Sequence, residues 1–440
     1  MKASLRQVTH APHGHILTNA AVWSPDGRWI VYDVRSDPAG SRFDGTAIER
    51  VDVETGRVER LYAATDGACC GVVTASPVDD RVVFIHGPAR PTPDWSYGPA
   101  RRQGVMVRGT MPGRADALDA RDLVAPFTPG ALRGGTHVHV FSPDGALVSF
   151  TYEDALLPDR PAPGTEGNLR AVGVALTGRP VRVPRTHPRN HDGSAWTVLV
   201  TTLVDIPRPG SDDISRACEE AWVGSRGYRR SDGSWQRYAL AFQGLVRSAS
   251  GQPVAEAFVV DLPDDANAWA APGAGPLAGT PTTRPAPPRG VVQRRLSFTA
   301  DRRYPGIRGA RHWLRSSPDG ERIGLLMKDD AGIDQLWTVS PHGELSQLSR
   351  STAPIASAFT WSPSGDAIAC IVDGSVCLVD AADGRVRGLT APLRDASAPR
   401  PEACVFSPDG RRIAFVRTVP TPLPGGGTRD CNQIFVVEVG

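Results

Sequence analysis

Lysine is almost missing from this 440-residue chain: only Lys2 and Lys328 occur. Schiff-base catalysis and a phosphate-binding P-loop both need a lysine in a defined setting, so neither is expected. No G-x-S-x-G, no G-x-G-x-x-G opening a helix and no H-E-x-x-H is present, which removes the common hydrolase, dinucleotide and zincin readings. No charge sign dominates: 49 Lys and Arg stand against 47 Asp and Glu, net +2. A nucleic-acid or anionic-membrane surface reads as basic excess, so neither is the expected main partner. No apolar run reaches the roughly 18 residues of a membrane-spanning helix, so no membrane insertion is expected. The opening Met-Lys-Ala-Ser-Leu-Arg-Gln has no apolar core of a secretory leader, so a cytoplasmic protein is expected. The seven cysteines are odd in number and lack metal-ligand spacing, which points to reduced thiols, with a strained redox bond the alternative for the adjacent Cys69 and Cys70.

What is present is a repeat. Ser-Pro-Asp-Gly recurs at Ser24, Ser142, Ser317 and Ser407, with degenerate copies at Ser76 and Ser362. Short apolar strands flank each copy, and Asp-Gly between two strands marks a turn, since glycine takes positive φ freely. A third strand follows, then a fourth of the form Arg-x-Leu-Thr. Four antiparallel strands per unit without helical periodicity describe a β-propeller blade. Seven blades are expected, near 18–62, 68–118, 135–184, 217–298, 309–349, 355–391 and 400–440. They form one all-β domain with loop insertions at 88–103, 185–216 and 263–289. The seventh blade lacks an outer strand at the C-terminus, and Leu5-Arg6-Gln7-Val8-Thr9 matches that strand's pattern. The N-terminal segment 3–9 is therefore expected to close the ring and cover its open sheet edge.

The Ser-Pro-Asp-Gly blades resemble the TolB-like propeller repeat. More closely, the chain resembles the bacterial YidR-type family of TolB-like propellers. The resembling stretches include Gly134-Gly135-Thr136-His137-Val138-His139-Val140-Phe141-Ser142-Pro143, Glu219-Glu220-Ala221-Trp222-Val223-Gly224 and Arg311-His312-Trp313. That resemblance implies a fold and leaves the activity open. A more distant likeness, resting on architecture and on His137-Val138-His139, is to oligogalacturonate lyases. It implies a seven-bladed funnel with a metal held by His and Gln; no matching Gln stands beside the histidine pair here.

Pseudo-symmetry gives a candidate site. The residue five before each marker serine is Asn19, Gly71, His137, His312, Ser357 and Glu402, mostly polar, whereas the next position is apolar throughout. Inner strands packed between blades should be apolar on both faces. The polar position is therefore expected to ring one mouth of the central channel, with Glu219 or Glu220 as the unmarked blade's contribution. His137, His139, His312 and Glu219 are the expected ligands of a divalent ion (Mn, Zn, Fe or Ni). Asn19, Arg311, Ser357 and Glu402 are expected to bind ligand, and His139, Arg315 and Glu220 to carry any chemistry. Arg133, Arg311 and Arg315 could instead fork a carboxylate or phosphate without a metal. Two functions remain open: a binder of a small polar or acidic ligand, acting as a metal-assisted lyase or hydrolase on sugar acids, or a non-catalytic propeller that engages a protein partner.

Overall fold

The computed structural model describes residues 4–157 and 169–440. Lys2, residue 3 of the expected closing strand and residues 158–168 of the third blade lie outside the described residues. Seven four-stranded antiparallel sheets follow one another around an axis. Six are built in simple chain order from inside to outside. The seventh combines Pro399–Phe406, Arg412–Pro422 and Thr428–Glu438 with Leu5–Gln7 as its outer strand. Leu5 pairs with Val437 and Gln7 with Phe435, so the N-terminal strand closes the ring. Among the described residues the only helical elements are two three-residue 3-10 turns.

The repeated motif builds the same turn each time. The marker serine hydroxyl donates to the aspartate two residues on, as in Ser24–Asp26 (2.5 Å) and Ser142–Asp144 (2.6 Å). The same hydroxyl accepts the amide five residues on, at Trp29 and Leu147. The glycine has positive φ, 66° at Gly27 and 69° at Gly145, where a side chain would be strained. In the degenerate sixth copy, Asp366 takes the role of the missing aspartate and accepts from Ser362 at 2.6 Å.

Four of the six markers follow an aromatic residue, Trp23, Phe141, Trp361 or Phe406, that wedges between blades. The Trp23 indole donates to the Val405 carbonyl of the seventh blade (3.0 Å), and that of Trp361 to Arg315 of the fifth (2.9 Å). An arginine of the preceding blade lies against the ring: Arg412 on Trp23, Arg81 on Phe141, Arg322 on Trp361. Its guanidinium also reaches the next blade's turn, as when Arg81 donates to the Gly145 carbonyl (2.7 Å). These arginines thus form a seam that ties blade to blade through stacking and hydrogen bonding.

Two of the expected insertions are structured. Gly193–Leu199, inside 185–216, is the outer strand of the third blade and pairs with Ala171–Val181. Residues 263–289 leave the outer part of the fourth blade, bury Trp269 against the third and fourth blades, and end under a clamp. Arg133, 1% exposed, donates to the carbonyls of Thr280 and Thr283 and pairs with Asp154 at 2.9 Å. Arg133 therefore holds the excursion and is not available to an anion at the mouth, which corrects the expectation for that residue. The first inner strand also begins earlier than expected, at Gly14–Ile16.

Candidate functional site

The inner strands begin on one face of the ring, and four of them share a bulge near that end. Ala21, Val72, Val138 and Glu219 all have φ between 53° and 59°, a left-handed conformation that costs a non-glycine residue energy. In the second, third and fourth blades the pairing register slips at that point, between Gly71 and Thr74, His137 and Val140, and Cys218 and Ala221. A bulge re-aims side chains that strict alternation would place predictably.

The bulge separates His137 from His139. Two residues apart in a regular strand would share a face; here Val138 turns the chain between them. His139 is fully buried in the seam with the second blade, its Nε2 hydrogen bonded to Thr136 Oγ1 at 3.0 Å. A Cβ at Gly104 would come within 2.7 Å of that nitrogen, so only glycine leaves room for the ring. Burial pushes the His139 pKa down to about 3. His137 instead stands among arginines. Burial, then Arg102, Arg170, His139 and Arg216, hold its pKa well below the ordinary histidine value, so it is neutral near pH 7.

The bulge also places both fourth-blade glutamates within the field of one arginine, where alternation predicts only one on the channel side. The charge of Arg315 of the fifth blade acts on both Glu219 and Glu220, and its guanidinium donates to Asn19 Oδ1 of the first blade at 2.6 Å. Thr151 of the third blade donates to Glu220 at 2.9 Å. The Arg315–Asn19 and Thr151–Glu220 hydrogen bonds thus tie the fifth blade to the first and the third to the fourth. Burial pushes the Glu220 carboxyl up to about 7. Burial raises Glu219 as well, against the pull of His312, Arg170, Arg216 and Arg315. On the far side Glu402 pairs with Arg400 (2.8 Å) and Arg311 (3.7 Å). The axis therefore joins Asn19, His137, Glu219, Glu220, His312 and Arg315, with Glu402 and Arg311 tied to each other beside them.

Ser357 does not join this group. Its hydroxyl donates to the Ala358 carbonyl at 2.7 Å and accepts the Ile371 amide at 2.8 Å, so it is consumed inside its own blade. The metal set does not assemble either. His139 is turned away, and among the described residues no group of three or more His, Cys, Asp or Glu side chains could hold a metal ion. Arg102, Arg170 and Arg216 act on His137, and Arg170, Arg216 and Arg315 on Glu219, and their charge opposes a cation.

Sequence reasoning missed Arg102, Arg170 and Arg216. Each immediately precedes a strand that starts on this face, at Gln103, Ala171 and Ala217. That shared position is the signal that could have found them. Arg102 is carried by the segment 88–103, which packs rather than floats. Trp95 in that segment lies against Arg101, Arg121 and Arg189, and Tyr97 stacks on Phe43 at 5.0 Å. Cys218 was also missed. The Trp222 indole donates to the Val140 carbonyl (3.0 Å), which makes it the fourth-blade wedge and puts Cys218, not a glutamate, at the ring position.

The family model for a protein of unknown function (DUF3748) matches residues 69–191, the second blade and the site's third-blade strand. Among solved structures, an oligogalacturonate lyase in complex with manganese aligns over 100% of this chain and 97% of its own, at TM-score 0.52 and 10% identity. A putative TolB from Agrobacterium tumefaciens aligns over 100% and 99%, at TM-score 0.39 and 15% identity. These likenesses are of fold alone. The uncharacterized protein YidR of Escherichia coli (strain K12) is 48% identical over 415 residues, covering 94% of this chain and 95% of its own. With that identity over nearly the whole length of both chains, the chain belongs to the YidR family.

Proposed function

We propose that the channel mouth binds a small acidic ligand, with a sugar acid as the class to try first. One observation carries this reading. Of the sixteen buried side-chain nitrogen and oxygen atoms without a hydrogen-bond partner among the described residues, six surround the mouth. They belong to Arg102, His137, Arg216, Glu219, Glu220 and Arg315. An unpaired buried polar group costs roughly 1–3 kcal/mol, so such a concentration suits a site completed by a polar guest. Four of these residues' neighbours or members are arginines, and the two carboxyls are pushed toward their neutral forms, so the guest that fits is an anion. A neutral His137 and the Glu220 carboxyl, pushed up to about 7, add hydrogen-bonding groups for hydroxyls. The manganese-bound oligogalacturonate lyase of similar fold supports acidic sugars as a first choice. A divalent ion, and the lyase or hydrolase chemistry it would assist, form no part of this reading, because the donor set does not fit one.

Isothermal titration calorimetry of the whole protein with galacturonate and with sulfate tests it. Saturable binding is expected for at least one probe. The double variant R102M/R216M should bind at least about tenfold more weakly, since each removed guanidinium takes a charge-assisted hydrogen bond with it. No heat from either probe, or the same affinity in the variant, refutes the reading.

A further inference from the structure

The face opposite the mouth carries a feature found in one blade. Where other blades make the tight Ser-Pro-Asp-Gly turn, the fourth inserts a hairpin between Trp222 and Ala239, with strands Tyr228–Arg229 and Trp235–Gln236. The segment holds Arg226, Arg229, Arg230 and Arg237 against a single acid, Asp232. In a chain of net charge +2 this is a local concentration of one sign. All four arginines are exposed. Arg237 pairs with Asp144 at 3.0 Å, and Arg230 donates to Gln236. Arg226 and Arg229 have no side-chain partner among the described residues.

The same hairpin exposes a large aromatic. Trp235 is 49% exposed, and its indole nitrogen is fixed by the Arg226 carbonyl. The ring is thus both presented and held. A depression of about 480 Å³ lies beside it, walled by Trp222, Trp235, Tyr238, Arg226 and Arg237. A second, of about 660 Å³, lies on the other side of the hairpin, walled by Arg229, Arg230, Arg322 and His342. Neither depression communicates with the groups at the mouth through any shared lining residue.

We infer that this hairpin docks a short acidic segment of a partner protein, with an apolar side chain seated against Trp235 and its carboxylates on Arg226 and Arg229. Trp, Tyr and Arg are the residue types that dominate binding energy at protein interfaces, and all three meet here. Charge complementarity selects the acidic partner. The acids Asp144 and Asp264 on one side, and Glu321 and Glu344 on the other, border the two depressions. They confine the positive patch to the hairpin, which suits a short peptide better than the long phosphate track of a nucleic acid or the plane of a membrane.

The test is selection of a random dodecapeptide library, displayed on phage, against the immobilised full-length protein. Enrichment of Asp/Glu-rich sequences with a large apolar residue is expected. A fluorescent synthetic peptide from that pool should bind at least about tenfold more weakly to W235A and, separately, to R226E/R229E. The melting temperature of R226E/R229E should match that of the wild type, because both side chains are exposed and unpaired. The inference is overturned by no enrichment above the R226E/R229E protein, or by peptides that neither variant weakens. Tighter binding of fluorescent oligo-dT or of phosphatidylglycerol vesicles than of the peptide, at the same salt, overturns it as well.

Discussion

Glu220 offers the sharpest physical test of the axis. Its carboxyl titrates near 4.5 in an unfolded chain and is pushed up to about 7 in the fold, chiefly by burial. Its own backbone amide and the Thr151 hydroxyl act against that rise, and Glu219 adds to it. Between these two values the native protein holds a proton that the unfolded chain has released. Stability therefore falls as pH rises through that window. Each pH unit is worth about 1.4 kcal/mol, so the whole window amounts to about 3 kcal/mol. The buried histidines His15, His139 and His191, held near 3, act in the opposite sense and gain stability as pH rises toward 6.5. A difference measurement removes them. Glu220→Gln keeps an oxygen to accept from Thr151 and cannot ionise. Urea denaturation of both proteins at several pH values from 4.5 to 8 should show the variant gaining on the wild type by about 3 kcal/mol as pH rises. A stability difference that stays flat across this range refutes the account of Glu220 as a carboxyl kept protonated by its place on the axis.

Two further predictions concern the scaffold. Arg133→Met leaves Asp154 buried without its guanidinium partner and frees residues 280–283; breaking a buried pair costs about 3–5 kcal/mol, and the lower figure is expected because Tyr152, Leu156 and Leu157 still donate to that carboxylate. Urea denaturation reads the loss, and R133M/D154N should recover part of it. Truncation before His10 removes the strand paired with Thr428–Glu438, the Thr9–Gln433 hydrogen bond and the buried Val8, whose side chain alone is worth about 1.5–3 kcal/mol. Size-exclusion chromatography and thermal melting should show a less stable, self-associating protein; an unchanged elution volume with the same melting temperature contradicts the closure.

The blade turns were legible because their chemistry is local. Serine, aspartate and glycine within four residues supply the side chain, acceptor and positive φ the turn needs, and the amide they hold lies only one or two residues beyond, so the marker reports its own structure. The closing strand was legible for a related reason: a propeller with three strands in its last blade must find a fourth, and only the N-terminal segment had the pattern. The tryptophan before the marker was legible as a wedge, although its indole bond to the preceding blade was not. The axis was legible only in outline. Offsets from the marker named Asn19, His137, His312 and Glu402, but they assumed strict strand alternation through a bulge whose left-handed residue, Val138 or Glu219, carries no distinctive side chain.

Sequence by itself settled the repeat, the blade number, the ring closure and the shortage of lysine chemistry, because each follows from neighbouring residues or from composition. Tertiary structure alone decided which polar groups meet. It turned His139 into a seam, set both Glu219 and Glu220 within the field of Arg315, and spent Arg133 on a distant segment. It also gathered Arg102, Arg170 and Arg216 around His137. Those outcomes depend on where a strand bulges and on which blades stand opposite across the axis. Both are set by packing between residues far apart in the chain.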